Sequence, residues 1–350
     1  MSTSKPVVSH PNVPRNKLGF IPRDYEGVMS TLCAGCGHDS ITAAIIQAFY
    51  ELNIPPHEAV KVSGIGCSSK TPTYFLSQSH GFNSVHGRMP TIASGANAAN
   101  PNLTYIGVSG DGDSLAIGLG HLSHIIRRNV NMLYIIENNG VYGLTKGQFS
   151  ASADKGSKGK RGDVVELDAI DPLQLALTMG ATFVARSFSG DKGQLVPLIK
   201  AGLTHKGFVL LDIISPCVTF NDHEGSTKSY KNTRKNCMKV VHTDFVPPEE
   251  EITTDYQPGE TKDVELHGGG MIRLHKVHKD YDPTDRAAAS TYMRSCQDRG
   301  EVPTGLLFCD TDSRDMYERH RAVKEPLNHI SHKKLCPGSE VLANIQAGLK

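Results

Sequence analysis

Residues 103–139 read LTYIGVSGDGDSLAIGLGHLSHIIRRNVNMLYIIENN, and this stretch decides the fold. It opens and closes with apolar, β-rich runs, and the segment between them has the length and apolar spacing of a helix. The pattern predicts a strand, a turn, a helix and a second strand. Because strands joined in this way run parallel, their carboxyl ends open on one edge of the sheet. Asp111 follows the first run and Asn139 the second, so we expect both side chains to reach a single ligand.

The chemistry at these strand ends suits a metal ion and a diphosphate. Asp111 offers a carboxylate and Asn139 an amide carbonyl, and Mg²⁺ prefers such oxygen ligands while also binding phosphates. Gly110 and Gly112 allow the backbone to approach a bulky anion, and the next helix presents its positive end. Either segment alone is typical of a surface turn. Their separation by 25 residues, with each segment closing an apolar strand, favours a shared site.

This order of GDG followed by NN resembles the thiamine diphosphate signature. The resemblance implies that Asp111, Asn139 and the backbone carbonyl of Val141 bind Mg²⁺. Gly112 and Asp113 would then lie beside the diphosphate.

Cysteines form a second group of chemistry-bearing residues. Cys33 and Cys36 make a C-x-x-C pair, and Cys67 follows within GIGC. The pair alone is compatible with a zinc knuckle, a thioredoxin-like redox pair or an iron–sulfur site. Zinc would require a second close pair, which the sequence lacks, whereas a cubane cluster tolerates scattered single cysteines. The remaining cysteines are Cys217, Cys237, Cys296, Cys309 and Cys336.

Five short motifs together resemble the β subunits of the 2-oxoacid:ferredoxin oxidoreductases, most closely those that act on 2-oxoglutarate. The motifs are CAGCGH at 33–38, GIGCSS at 64–69, HGR at 86–88, GDG at 110–112 and NN at 138–139. The resemblance covers at least residues 30–220. It implies an α/β fold with a doubly wound, mostly parallel sheet of the type that binds the diphosphate of thiamine diphosphate.

The same resemblance implies one [4Fe–4S] cluster. Its ligands would be Cys33, Cys36, Cys67 and Cys217, the last being placed by the apolar strand at 208–214 that precedes it. Cys237 is the alternative fourth ligand.

Further residues are implied to contact thiamine diphosphate. They are Ile65, Gly66, Cys67, Ser68, His86, Gly112, Asp113, Gly143 and Leu144. For His38 two interpretations stay open, because it directly precedes a predicted helix at 40–52 for which Asp39 is a plausible N-cap. It is either part of the site or only a residue at a helix start.

The resemblance implies a complete reaction. Thiamine diphosphate would support oxidative decarboxylation of 2-oxoglutarate with coenzyme A to succinyl-CoA and CO₂, reversibly, and the cluster would pass electrons to ferredoxin. Pyruvate or a broad range of 2-oxoacids is the alternative substrate. Lys70 and Leu144 are the candidates for substrate selection, because a lysine cation suits the distal carboxylate of 2-oxoglutarate. A solvated surface lysine is the plainer interpretation of Lys70.

A partner subunit is also implied. Thiamine enzymes use a glutamate from a pyrimidine-binding module, and no second α/β module is recognisable in this sequence. We therefore expect an α subunit that carries this module, in an αβ or (αβ)₂ assembly.

Two rival classes remain. A thiamine enzyme without iron would leave the cysteines unexplained, and a non-catalytic zinc-binding interaction module would leave the diphosphate site unexplained.

Composition excludes some classes of function. The 350 residues carry 37 Lys and Arg against 36 Asp and Glu, which gives no general attraction to nucleic acid. The sequence has no apolar run of membrane-spanning length and no signal-peptide core at 1–22, so we expect a cytoplasmic protein. The basic run at 155–162 is interpreted as a solvated loop, or as a surface for coenzyme A or an acidic ferredoxin.

Alternating strand and helix signals define the organisation. Strands are predicted at 59–63, 182–186 and 208–214, and helices at 114–128, 172–179 and 192–204. We predict an N-terminal arm at 1–30, a cofactor domain at 31–220, and an irregular extension at 221–350 that packs on this domain or on a partner.

Overall fold

A sheet of nine strands forms the centre of the fold in the computed structural model, which describes residues 12–157, 163–219, 251–266, 271–336 and 338–349. In chain order the strands are β1 (Ala59–Ser63), β2 (His80–Asn83), β3 (Thr104–Gly110), β4 (Met132–Asn138), β5 (Val141–Tyr142), β6 (Gln148–Phe149), β7 (Phe183–Phe188), β8 (Phe208–Ile214), β9 (Thr261–Glu265), β10 (Met271–Lys276) and β11 (Val302–Cys309). The strand order across the central sheet is β2-β1-β3-β4-β8-β7-β11-β10-β9, and β5 pairs with β6 in a separate hairpin.

The six strands from β2 to β7 in this order are all parallel, which confirms the predicted doubly wound sheet. Gly110 at the end of β3 pairs in register with Glu137 near the end of β4. The GDG and NN segments therefore leave the sheet at the same level, as the sequence predicted. Chain order reverses between β1 and β3, and such a point in an open α/β sheet leaves a crevice at the carboxyl ends of the strands.

Helices cover both faces of the sheet. Along β4, Leu133 and Ile135 belong to one hydrophobic cluster with the helices at 37–52 and 192–204, whereas Tyr134 and Ile136 belong to another with the helices at 89–99, 119–128, 172–179 and 286–298. This alternation follows from the two-residue period of a strand. The helices are α1 (Gly37–Leu52), α2 (Met89–Ala99), α3 (Leu119–Arg128), α4 (Pro172–Met179), α5 (Lys192–Thr204), α6 (Arg286–Asp298), α7 (Met316–His320), α8 (His332–Leu335) and α9 (Ser339–Ala347). No helix within the described ranges is both long and apolar enough to cross a bilayer.

The segment after GDG differs from the single helix predicted at 114–128. It begins as a π-helical turn, Gly112–Ile117, and α3 starts only after Gly118. The backbone passes close to another loop at this break, because a Cβ on Gly118 would lie 2.9 Å from the Cα of Gly87. Gly87 itself has φ +68°, which favours glycine. The two glycines thus bring the HGR loop against the start of the helix.

The expectation of an irregular C-terminal extension is wrong for residues 261–265 and 271–309. Strand β11 joins β7 in antiparallel orientation, and β10 and β9 continue the sheet beyond it. A third apolar cluster, to which Ile272, Leu274 and Phe188 belong, ties these strands to the rest of the fold. The apolar signal is weak in β9, which buries a single side chain, and in β10, where exposed residues alternate with buried ones. Strand β11 is longer, with eight residues, and most of them are buried. Residues 220–250 lie outside the described residues, and the domain limits at 30 and 220 stay predictions.

A buried charged network connects β7 and β8 beneath the NN segment. Arg186 donates from Nε to Asp212 Oδ2 over 2.7 Å and from Nη2 to Asp171 Oδ1 over 3.0 Å. Burial alone would lower the pKa of Arg186, but Asp171 and Asp212 raise it above its ordinary value. Asn138 Nδ2 donates to the other oxygen of Asp212 over 3.1 Å. The network therefore orients a side chain at the end of β4.

We predict that Arg186→Leu lowers the free energy of unfolding by about 3–5 kcal/mol, because it leaves a buried carboxylate without its partner. Denaturant unfolding measures the change. The control is Arg273→Leu, which removes a pair with Asp263 whose side chains are 52% and 46% exposed. Little change is expected there. Equal losses in both variants would contradict the structural role of Arg186.

Candidate cofactor and cluster site

A solvent-open cleft that encloses about 400 Å³ of space lies at the crevice between β1 and β3. Its walls come from the loops after β1, β3 and β4 and from the HGR loop. It is lined by Ile65, Gly66, Cys67, Ser68, His86, Gly110, Asp111, Gly112, Asp113, Val141, Tyr142, Gly143, Leu144 and Thr145. All nine residues predicted to contact thiamine diphosphate are among them. Their contact with a cofactor stays a prediction.

Asp111 lies at the base of the cleft and is only 1% exposed. Its Oδ2 accepts hydrogen bonds from the backbone N–H of Gly140 over 3.1 Å and from Ser152 Oγ over 2.6 Å, and Ser150 Oγ donates to it as well. These donors stabilise a charged carboxylate in a buried position. The carboxylate also ties the loop after β4 to the end of β3.

Asn139 does not form part of the cleft wall. Its Oδ1 accepts a hydrogen bond from the backbone N–H of Val141 over 3.1 Å, so the side chain closes its own loop. Asp111, Asn139 and Val141 are thus neighbours that supply three kinds of oxygen, and this donor set fits a hard cation such as Mg²⁺.

Two glycines shape the cleft for a bulky anion. A Cβ on Gly112 would lie 2.5 Å from the ring of Tyr142, and one on Gly110 would lie 2.7 Å from Ser68 Oγ. Tyr142 also donates its hydroxyl to the carbonyl of Gly112 over 2.9 Å. Only glycine allows these loops to pack so closely, which fits a cradle for a diphosphate.

Asp113 has a more specific role than the predicted proximity to the diphosphate. Its Oδ1 lies 2.7 Å from His86 Nδ1 and accepts the backbone N–H of Gly87 over 2.9 Å. Its Oδ2 accepts from Ser109 Oγ over 2.7 Å. The carboxylate thus fixes the imidazole of His86, which is 40% exposed at the cleft.

Three of the predicted cluster cysteines, Cys36, Cys67 and Cys217, lie close together. An added Cβ on Gly143 would lie 3.4 Å from Cys67 Sγ and 3.7 Å from Cys217 Sγ. The nearby sulfurs of Cys67 and Cys217 contribute to the raised pKa of Cys36. Thr219, two residues after Cys217, lies with its Oγ1 3.9 Å from Cys33 Sγ. None of the described cysteines forms a disulfide. Cys237 lies outside the described residues.

Burial raises the pKa of Cys67 to about 12 and that of Cys36 well above its ordinary value, and nearby negative charges add to both shifts. Backbone N–H groups of His38 and Ser68 donate to the sulfurs of Cys36 and Cys67, respectively. Such donors stabilise thiolates. In the described part of the chain, no three His, Cys, Asp or Glu side chains converge as a single metal ion requires. Zinc needs that convergence, whereas each iron of a cubane needs only one protein thiolate.

Lys70 lies outside the cleft wall, in the 3₁₀ turn Ser68–Thr73. Within the ranges described, its ammonium has no hydrogen-bond or ion-pair partner. Of the basic run, Lys155 pairs with Asp168 over 2.9 Å and residues 158–162 lie outside the described residues. The roles of Lys70 and of this run stay predictions.

Several residues that complete the site were not predicted from the sequence. Ser150 and Ser152 contact Asp111 only because the β5–β6 hairpin folds the chain back, and no local pattern reveals this. Glu137 was detectable, since it is a charged residue in the otherwise apolar run of β4. His38 is the first-turn residue of α1, yet it is fully buried beside Cys67. The helix begins at Gly37 with Cys36 as N-cap, so the expectation of Asp39 as N-cap is wrong.

Comparisons with known proteins agree with this geometry. Residues 64–213 match the family described as thiamine pyrophosphate enzyme, C-terminal TPP binding domain. The chain is 47% identical over 196 residues to the 2-oxoacid:ferredoxin oxidoreductase 1 subunit beta of Aeropyrum pernix, covering 56% of this chain and 61% of that subunit. It thus spans less than two thirds of that relative's length.

A second relative is covered more fully. The chain is 34% identical over 238 residues to the 2-oxoglutarate synthase subunit KorB of Methanocaldococcus jannaschii, covering 67% of this chain and 87% of the relative. A solved structure of 2-oxoglutarate:ferredoxin oxidoreductase from Magnetococcus marinus, with 2-oxoglutarate, coenzyme A and succinyl-CoA bound, superposes with a TM-score of 0.72 at 29% identity. The match covers 95% of this chain and 99% of the chain in that structure.

Fold and cleft thus define an α/β protein of the thiamine diphosphate-binding class. More narrowly, the chain belongs to the family of β subunits of the 2-oxoacid:ferredoxin oxidoreductases.

We predict that Gly112→Ala weakens binding of thiamine diphosphate with Mg²⁺ roughly tenfold to a hundredfold, because the added methyl displaces Tyr142 at an overpacking cost of about 1–3 kcal/mol. Calorimetric titration measures the affinity. Gly120→Ala in α3 is the matched control, since a Cβ there has no neighbour within 4 Å among the described residues. Unchanged affinity of Gly112→Ala would contradict the assignment of the cradle.

Proposed function

We propose that this chain is the β subunit of a 2-oxoglutarate:ferredoxin oxidoreductase. The reaction is oxidative decarboxylation of 2-oxoglutarate with coenzyme A to succinyl-CoA and CO₂, it is reversible, and its electrons leave for ferredoxin. One observation carries the proposal. Cys67 lines the cofactor cleft and also belongs to the cysteine group, and Gly143 of the opposite wall lies against the sulfurs of Cys67 and Cys217. The two sites therefore share loops, which supports direct electron transfer between their cofactors.

The residues present would hold thiamine diphosphate through its Mg²⁺. Asp111, Asn139 and the carbonyl of Val141 would bind the metal, and the glycines of the cradle would admit the diphosphate. When bound, thiamine diphosphate supplies a carbanion that adds to the keto carbon and a ring that takes up the electrons left by departing CO₂. His86, fixed by Asp113, would present its other ring nitrogen to the cleft.

The cysteines Cys33, Cys36, Cys67 and Cys217 would hold one [4Fe–4S] cluster. Such a cluster transfers single electrons, which matches ferredoxin as acceptor. The thiols must be reduced in order to bind iron, so a cytoplasmic location forms part of the proposal.

Lys70 and Leu144 are proposed to select the substrate. Leu144 lines the cleft and is 51% exposed, so it is available for contact with a bound 2-oxoacid. Lys70 lies two residues after Ser68 of the cleft wall, and among the described residues its ammonium has no hydrogen-bond or ion-pair partner. The name of the Aeropyrum pernix relative favours a broad 2-oxoacid range as the second candidate.

An α subunit carrying a pyrimidine-binding module is the proposed partner, in an αβ or (αβ)₂ assembly. Apolar side chains are exposed on the segments around the cleft, although such side chains are usually buried. Val85 adjoins His86, and Ile117 ends the π-helical turn that starts at Gly112. The exposed fractions are 71% for Val85, 46% for Ile117, 48% for Phe82 and 38% for Ile92. A partner packed here would cover these residues and complete the site.

We predict that Cys217→Ser lowers the iron content and the electron transfer to ferredoxin, because a neutral hydroxyl replaces a thiolate on iron poorly. Iron analysis and the EPR spectrum of the anaerobic complex measure the change. Cys309→Ser is the control and should keep both. Full iron in Cys217→Ser, with loss of iron in Cys237→Ser, would show that the fourth ligand is misassigned.

Lys70→Ala should lower kcat/KM for 2-oxoglutarate roughly tenfold to a hundredfold, because a charge-assisted contact of about 1.5–3 kcal/mol is lost. Turnover of pyruvate, which has no distal carboxylate, should change little. Both values are measured anaerobically with the α subunit and saturating coenzyme A. Lys262→Ala, on the exposed edge strand β9, is the control. Equal losses for the two substrates would refute charge recognition by Lys70.

A further inference from the structure

His38 is a buried side chain beside the cysteine group that the proposed reaction does not use. It lies in the first turn of α1, is fully buried, and its Nε2 is 3.9 Å from Cys67 Sγ. The opposite ring nitrogen, Nδ1, is 2.8 Å from Ser215 Oγ and 3.3 Å from Glu137 Oε2. The imidazole therefore bridges a proposed cluster ligand and a polar group at the ends of β4 and β8.

The direction of the contact with sulfur follows from the chemistry of the ligand. A cysteine bound to iron is a thiolate and has no proton to donate. The contact is a hydrogen bond only if His38 donates from Nε2. In the neutral ring Nδ1 must then accept a hydrogen bond, and the hydroxyl of Ser215 is placed to donate it.

The surroundings keep Ser215 and Glu137 in place. Gly37 allows the close approach of Ser215, because a Cβ at this position would lie 2.7 Å from Ser215 Oγ. Thr71 Oγ1 donates to Glu137 Oε2 over 3.0 Å, and no described residue is a partner of the other carboxyl oxygen. Burial raises the pKa of Glu137 and so favours its neutral carboxyl. A neutral carboxyl does not require a proton from the imidazole of His38.

We propose that His38 donates a hydrogen bond from Nε2 to the cluster-bound sulfur of Cys67 and thereby raises the reduction potential of the [4Fe–4S] cluster, with Ser215 fixing the tautomer. The inference rests on the proposed function, because it requires the cluster. A donor to the sulfur withdraws electron density from the iron and stabilises the more negative, reduced state more than the oxidised state. His38 is thus a positioning and tuning residue.

His38 is better placed for this effect than Thr219, a second side-chain donor near the cysteines among the described residues. Thr219 Oγ1 is also 3.9 Å from a sulfur, that of Cys33, but this contact is exposed and water competes with it. The contact of His38 with Cys67 is partly buried and the ring itself is fully buried, and the lower dielectric there strengthens a hydrogen bond. Backbone donors reach Cys36 and Cys67 too, but substitution of a side chain leaves those bonds in place.

The test is a redox titration of the anaerobic holoenzyme with its α subunit, followed by the EPR signal of the reduced cluster. His38→Leu should shift the reduction equilibrium roughly tenfold towards the oxidised cluster, which lowers the midpoint potential by about 59 mV for one electron. Ser215→Ala should lower it by a smaller amount, because it removes the donor to Nδ1 without touching Cys67. A change in packing alone would not produce this ordered pair of shifts.

His205→Leu is the matched control. His205 Nδ1 lies 4.0 Å from Cys309 Sγ, which is the same kind of contact away from the proposed cluster ligands, so this variant should keep the wild-type potential. Wild-type potentials in both His38→Leu and Ser215→Ala, at full iron content, would overturn the inference and leave the proposed function intact. If His38→Leu does not assemble the cluster, the midpoint potential of Ser215→Ala is the test, and a wild-type value at full iron content would overturn the inference. Wild-type protein that binds no iron would instead refute the proposed function itself.

Discussion

The buried carboxylate of Asp111 is the constraint on which the site depends. It lies at the end of β3, but its hydrogen-bond donors come from the loop after β4 and from the β5–β6 hairpin. Charge-assisted bonds of this kind are each worth about 1.5–3 kcal/mol, and removal of one partner leaves a buried charge. The geometry of the NN loop and of the cleft therefore follows from one negative group held between two parallel strands.

The two proposed cofactor sites are built from the same loops. The loop after β1 contributes Cys67 and Ser68 to the cleft, and Cys67 is also one of the proposed cluster ligands. Gly143 lines the cleft as well and lies near the sulfurs of Cys67 and Cys217. Beneath both sites, polar side chains at the strand ends connect the cavity to the core, from Arg186 through Asp212 and Asn138 to Ser152. A substitution in this layer should therefore affect cofactor geometry as well as stability.

Much of this arrangement could be predicted from the sequence, for identifiable reasons. The convergence of Asp111 and Asn139 followed from the parallel course of two apolar strands, and α4 and α5 have the predicted bounds because their apolar spacing is clear. The π-helical turn could not be predicted, since it lies where Gly87 and Gly118 pack together across distant parts of the chain. The contacts of Ser152 and of Arg186 depend likewise on tertiary packing. The strands β9 and β10 were hidden because both are short and exposed along much of their length, and β11 was not recognised although it has eight residues.

The visible spectrum of the anaerobic αβ complex, recorded before and after addition of 2-oxoglutarate, tests whether the two cofactors act together. We expect the broad visible absorption of a [4Fe–4S] cluster, which the substrate bleaches only when thiamine diphosphate and Mg²⁺ are bound. An Asp111→Ala complex should retain the absorption and fail to bleach. Absence of the absorption in the wild type, or bleaching that does not require thiamine diphosphate, would refute the shared role of the two sites.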